Sequence, residues 1–235
     1  MSRWEDKKKS YLAVFITISF LLGAITGITL SDIWDNEKPI LKVPNGEEYM
    51  RSMAIAGIDA SGRGKMATLI VELKSGSGRL GLFVPPYEDK NAQRAAVMAK
   101  TAASSITKYG LGEVDIMVTI DNLATEATFS GPSASASMAL LIIAAIRLSE
   151  NNAPNLVRQD TIISASVNSI GKLVPVGNIM EKYMAVKESG AYTLFVVSTN
   201  QTGIEPPVPE LSSNLPELSI EKATDLNELA DKVLK

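Results

Sequence analysis

The 235-residue sequence contains neither cysteine nor histidine. Without cysteine the chain cannot form a disulfide, so its composition says nothing about the redox compartment. Together the two absences exclude a Ser-His-Asp triad, a Cys-His dyad and every zinc site built from these two residue types. Hydrolytic chemistry would therefore need a serine that is activated by another base, and lysine is the obvious candidate.

The sequence also lacks a large excess of charge of one sign. It has 23 lysine and arginine residues against 26 aspartate and glutamate residues, which gives a formal net charge of −3. This balance offers no basic stripe for nucleic acid, and we do not expect nucleic acid as a partner. The hydrophobic fraction of 46% suffices for a sizeable core, and the length suits one domain with an appendage.

A complete nucleotide-binding motif is missing as well. Residues 62–65 contain part of a Walker phosphate loop, but Asp59 and Met66 stand where that motif needs a glycine and a serine or threonine. A small-residue loop that opens a helix, as at residues 131–135, also binds phosphate in some small-molecule kinases. Such a kinase would need a nucleotide-binding surface and acidic magnesium ligands too, and we therefore predict no cofactor.

A serine with a favourable local context stands at position 133. Small residues give way there to the apolar residues 138–146, which predict a buried helix with Ser133 in its first turn and with Gly131 and Pro132 shaping its entry. Unpaired N–H groups and the positive end of the helix dipole meet at such a place. They would stabilise the oxyanion that forms when a serine attacks a carbonyl.

The candidate base is Lys182. Residues 171–177 predict a strand that ends at a turn, and residues 178–189 predict a helix with Ile179, Tyr183 and Val186 on its apolar side. Lys182 lies near that side. Burial disfavours a charged ammonium and lowers its pKa, which a lysine needs in order to act as a base near neutral pH.

Each residue also has a plainer interpretation. Ser133, Ser135 and Ser137 are ordinary residues for the first turn of a helix, where their hydroxyls cap the backbone. Lys182, taken alone, suits a solvated helix surface. The joint occurrence of the two residues in a chain without another common base favours a catalytic pair.

At these residues the sequence resembles the proteolytic domain of the Lon protease family, whose members use a Ser-Lys dyad. The family's Gly-Pro-Ser-Ala motif matches residues 131–134 and places the nucleophile on Ser133. Its Pro-hydrophobic-Gly-Gly-x-x-Glu-Lys motif matches residues 175–182 and places the base on Lys182. The resemblance further implies four supporting residues, of which the last corresponds to a threonine that orients the lysine: Gly131, Pro132, Ala134 and Ser164.

Three positions depart from the family pattern. Ser130 replaces an acidic residue, and Ser135 and Asn178 replace glycines. We expect Ser135 to narrow the space for the substrate backbone. The resemblance runs from about Met53 to the C-terminus and includes a turn at residues 85–86.

The resemblance implies an α/β fold of the Lon proteolytic type (ribosomal protein S5 domain 2-like), with mixed sheets. It does not extend to the ATPase module of the family. The implied function is an ATP-independent serine endopeptidase for unfolded or membrane-associated polypeptides, and a homo-oligomer, the hexameric ring of the family, is implied with it. The alternative is an inactive Lon-like domain that serves as a membrane-anchored binding or assembly module.

The N-terminal segment indicates the compartment. Residues 11–30 carry no charged side chain, and an apolar stretch of this length spans a bilayer as a helix. Lysines at 7–9 precede it and acidic residues follow it, which favours a cytoplasmic N-terminus and an extracytoplasmic domain at the cell membrane. Small residues at 23–27 leave a cleaved signal peptide as the competing interpretation, although the apolar run exceeds the usual length of such a segment.

We therefore predict a basic tail at residues 1–10, a transmembrane helix at 11–30, a linker at 31–50 and the peptidase domain at 51–235. Within the domain, alternation and turn residues predict a hairpin that turns at residues 61–64 and a strand at 113–120. Residues 161–167 are expected to pair with 172–174. Thr224 is expected to cap a closing helix.

Overall fold

The computed structural model describes residues 38–59, 61–84, 90–121, 132–151, 157–204 and 217–235. The predicted transmembrane helix, the turn at residues 85–86 and Gly131 lie outside these residues. Ile40–Lys235 form one compact unit. Its first strand begins at Glu48, three residues before the predicted boundary at residue 51.

The larger sheet has four strands in the spatial order β1-β2-β4-β3. In β4, buried side chains alternate with more exposed ones, as expected for a strand with one face on the core. Strand β2 runs antiparallel to both β1 and β4, and β3 runs parallel to β4. The strand bounds are β1 Glu48–Ile58, β2 Gly64–Ser75, β3 Leu80–Phe83 and β4 Val114–Asp121.

A second sheet consists of three parallel strands in the order β5-β8-β9, and β6 and β7 form a separate antiparallel pair. The strand predicted over residues 161–167 is therefore divided, because its first half joins the parallel sheet and only its second half pairs with β7. All four residues of β5 are buried, which is typical of a parallel strand. The bounds are β5 Thr161–Ser164, β6 Ser166–Val167, β7 Leu173–Val174, β8 Leu194–Ser198 and β9 Ser219–Ala223.

Among the described residues, four α-helices pack against these sheets, and the second is the centre of the core. Every residue of α2 from Ala136 to Ile146 is buried. It packs against α1, whose buried face consists of alanines and so permits a close approach. The segment Pro132–Glu150 is long and apolar enough to cross a membrane, but it is this buried core helix. The bounds are α1 Lys90–Thr107, α2 Ser135–Asn151, α3 Ile179–Ser189 and α4 Leu226–Val233.

The closing helix α4 is capped by Asp225, and the prediction of Thr224 as its cap is wrong by one residue. The Asp225 carboxylate accepts hydrogen bonds from the backbone N–H groups of Asn227 and Glu228, each at 3.1 Å. A carboxylate is favoured there because it also interacts with the positive end of the helix dipole.

Candidate active site

A cleft of about 370 Å³ brings the two candidate catalytic residues together. Ser133 and Lys182 both line it, although 48 residues separate them along the chain. The cleft lies between the end of β1, the short turn before α2 and the loop of residues 175–178. Pro132 and Ala134 line it as well.

Ser133 lies in a single 3-10 turn, Pro132–Ala134, immediately before α2. The sequence predicts Ser133 in the first turn of the helix, but the serine lies just before the helix. Proline suits the first position of such a turn because its fixed φ matches the helical value and its missing N–H would have no partner there. The result is a half-buried Ser133 at the N-terminal end of a long buried helix.

Ser135 anchors this turn to the neighbouring strand pair. Its hydroxyl donates to the carbonyl oxygen of Pro132 at 2.7 Å and accepts from the backbone N–H of Val167 at 3.0 Å. The Oγ atom of Ser166 lies 3.1 Å away. Ser135 is completely buried and faces β6, so the expectation that it narrows the substrate space is wrong. In the sequence, the only indication of this anchoring role is that Ser135 is a polar residue shortly before the apolar residues 138–146.

Lys182 lies in α3 and is 4% exposed. Its Nζ atom donates a hydrogen bond to the carbonyl oxygen of Gly177 at 3.0 Å. Burial lowers the pKa of Lys182 from its ordinary 10.5 to about 8, and the charge of the neighbouring Glu181 opposes this shift without cancelling it. Because an uncharged amine is needed to accept a proton, this environment makes Lys182 available as a base far below the pH that a solvated lysine requires.

Asn178 directly precedes α3 in a left-handed conformation, with φ 53° and ψ 40°. This conformation is unfavourable for most side chains but is tolerated by asparagine and glycine. Asparagine is therefore compatible with the left-handed backbone that precedes the lysine-bearing helix.

Gly64, the first residue of β2, positions α3 from the other side. A Cβ atom at this residue would lie 2.1 Å from the backbone oxygen of Glu181 and 2.7 Å from the Cβ of Ala185. No other residue fits there unless the helix that carries Lys182 moves. From the sequence, Gly64 is one of the turn glycines of the hairpin, but the positive φ of this turn, 84°, belongs to Gly62.

Asp59 lines the cleft and holds the hairpin that borders it. Its Oδ1 atom accepts hydrogen bonds from the N–H and hydroxyl of Ser61 and from the N–H of Arg63, at 2.6–2.9 Å. These bonds lower the pKa of Asp59 to about 2, so this carboxylate is ionised and already engaged. Within the ranges that the structure describes, no group of three or more acidic side chains could hold a metal ion.

Ser164 does not line the cleft. It belongs to β5 and is 1% exposed, and its Oγ atom has no hydrogen-bond partner among the described residues. Ser164 and Lys182 are not joined by a hydrogen bond, because the Oγ atom of Ser164 has no partner among the described residues and the amine of Lys182 donates to Gly177. Its orienting role stays a prediction, as does the role of Gly131.

Comparison with known protein families adds an independent finding. The family model of the Lon protease (S16) C-terminal proteolytic domain matches residues 74–235. The match begins near the end of β2 and includes both Ser133 and Lys182. A search of curated proteins found no match.

Proposed function

Because the chain belongs to the family of Lon protease (S16) proteolytic domains, we propose that it is a membrane-anchored serine endopeptidase that cleaves polypeptides without ATP. Ser133 is the nucleophile and Lys182 the general base. The observation that carries this proposal is a single cleft lined by both residues, in which the amine is buried and its pKa is lowered to about 8. The active form is a homo-oligomer, which the family resemblance implies to be a hexameric ring.

The reaction proceeds through an acyl-enzyme. Neutral Lys182 accepts the hydroxyl proton of Ser133 while Oγ attacks the scissile carbonyl carbon. The oxyanion forms beside the N-terminus of α2, where the positive end of the helix dipole stabilises it. The ammonium of Lys182 then donates its proton to the leaving amine, and the C–N bond breaks. Water then loses a proton to Lys182 and attacks the acyl carbon, the C–Oγ bond breaks, and Lys182 returns the proton to the Oγ atom of Ser133 as the product acid leaves.

The shape of the cleft favours an extended polypeptide as substrate. Strand β1 is an edge strand of its sheet, and residues 55–59 all line the cleft. Consecutive residues of a strand point to opposite faces, so a cleft that touches the last four residues of β1 in succession follows the strand's edge. An extended peptide can pair its backbone with such an edge. Half-buried apolar side chains also line the cleft, among them Ile58, Ala134 and Val176, and they suit segments that are exposed only in unfolded or membrane-associated proteins.

The direct test is proteolysis by the purified full chain in the absence of nucleotide. An unfolded protein serves as substrate, its cut sites are mapped by mass spectrometry, and a fluorophosphonate probe reports the reactive hydroxyl. We expect internal cuts without ATP and probe attached to Ser133. The absence of both cleavage and labelling under every condition would instead support the inactive binding or assembly module.

The membrane anchor has its own test. The uncharged residues 11–30, with the basic tail before them and acidic residues after them, predict an extracytoplasmic domain. Protease added to intact cells should then degrade the domain. Protection until the membrane is broken would place the peptidase in the cytoplasm, and release of a shortened chain from the membrane would support the cleaved signal peptide.

A further inference from the structure

The loop of residues 175–178 determines where the amine of Lys182 points. This loop belongs to no helix or strand, yet its Gly177 carbonyl accepts the hydrogen bond from Nζ. A neutral lysine amine has two N–H donors and one lone pair. When one N–H is directed at Gly177, the position of that carbonyl limits the directions in which the lone pair can face Ser133.

The side chain of Gln201 holds the loop in place. Its Oε1 atom accepts from the backbone N–H of Val176 at 2.9 Å, and its Nε2 atom donates to the Val176 carbonyl at 3.1 Å. Nε2 also donates to the carbonyl of Thr202 at 2.9 Å. The carboxamide thus pairs with both backbone groups of the residue before Gly177, as a neighbouring strand would. Gln201 is 7% exposed, so these bonds lie in a largely dry environment.

Hydrogen bonds connect Gln201 to the strands β8 and β7. Gln201 follows β8, and its backbone N–H donates to the carbonyl of Ser198 at 2.9 Å. The hydroxyl of Ser198 in turn donates to the carbonyl of Leu173 in β7 at 3.2 Å. The end of β8 therefore holds both the strand that leads into the loop and the loop itself.

We propose that Gln201 is a positioning residue for the general base, which it serves by clamping Val176 so that the Gly177 carbonyl orients the amine of Lys182. This inference rests on the proposed peptidase function. Gln201 does not contact the substrate in this proposal. Its effect passes through two consecutive peptide units to the amine.

Gln159 offers a matched control. Its Nε2 atom also donates to two backbone carbonyls, those of Ser52 at 3.2 Å and Val157 at 3.1 Å. It is exposed and does not line the cleft. Loss of this amide removes the same chemical group and the same number of donated bonds without touching the lysine loop.

The first measurement is the titration of Lys182 itself. The purified full chain carries 13C at the lysine Cε positions, and the Lys182 NMR signal is identified by its absence in Lys182→Arg. The wild-type signal should titrate near pH 8. Gln201→Ala releases the loop whose Gly177 contacts the amine, so we expect water to reach the amine and the pKa to rise by about one unit, because burial is the main cause of its depression. Gln201→Glu should raise it as well, through a nearby negative charge. Glu181 and Asp59, the acidic groups beside Lys182 and in its cleft, are unchanged in both variants.

The second measurement is cleavage above the new titration point, where the amine is neutral in every variant. We expect kcat of Gln201→Ala to fall at least about tenfold, since a displacement of about 1 Å in a catalytic group has effects of this size or larger. Gln159→Ala should match the wild type in both measurements. Thermal unfolding identifies variants that fold, and Gln201→Glu, which has the shape of glutamine, replaces Gln201→Ala if the smaller side chain prevents folding.

Unchanged titration of Lys182 and unchanged kcat in the folded Gln201 variants would overturn the inference. Failure of the proposed function has a different signature. In that case the wild type would not cleave, or Ser133→Ala and Lys182→Arg would cleave as the wild type does, whereas the Lys182 signal would still report whether Gln201 controls its surroundings.

Discussion

Replacement of Ser133 by alanine is expected to reduce cleavage of an unfolded protein to background, a loss of at least about 1,000-fold. The substitution removes the nucleophilic oxygen, and the chain has no cysteine to replace it. Ser133 lies in the turn before α2 and is half-buried, so the loss of its hydroxyl should not disturb the helix. The measurement is the initial rate of fragment formation by the purified full chain, together with fluorophosphonate labelling.

Ser137→Ala is the matched control for this prediction. Ser137 lies one turn further along and is completely buried, and its hydroxyl lies 3.4 Å from the carbonyl oxygen of Ile163. Most of the activity should remain in this variant. Equal loss in both variants, or persistent cleavage by Ser133→Ala, would show that another hydroxyl is the nucleophile.

The second large effect concerns Lys182 and pH. Burial lowers the pKa of this lysine to about 8, so the neutral amine becomes the main form above pH 8 and not only above 10.5. We therefore expect kcat/KM to rise tenfold per pH unit below about 8 and to level off above it. Lys182→Arg should be inactive throughout, because a guanidinium does not lose its proton in this range.

A second variant separates catalysis from folding. Arginine places a permanent charge in a site that disfavours charge, and this can destabilise the chain. Lys182→Met keeps an unbranched side chain without the charge and should fold at least as stably, which thermal unfolding measures. Substantial turnover by either variant would mean that Lys182 only positions groups or stabilises charge, and the dyad mechanism would have to be abandoned.

Much of this arrangement follows from local patterns in the sequence. The alternation in β4 and the unbroken apolar run of α2 predict a half-buried strand and a core helix, because each depends on the period of its own backbone. The burial of Lys182 follows in the same way from its apolar neighbours Ile179 and Tyr183 on one helix. The two motifs that contain Ser133 and Lys182 are likewise short and continuous, so they can be recognised before any fold is known.

Contacts between distant segments were decided only by the tertiary structure. Residues 161–164 pair with β8 and not with β7, since the choice depends on which strand lies alongside. Ser135 bonds to Val167, Gly64 lies against Glu181, and Gln201 clamps Val176. The two residues of each contact are far apart in the sequence, so the periodicity of a helix or strand cannot predict which residues meet. The side chains that hold the nucleophile and the base in one cleft acquire their roles when the chain packs, because only then do their donors and acceptors meet.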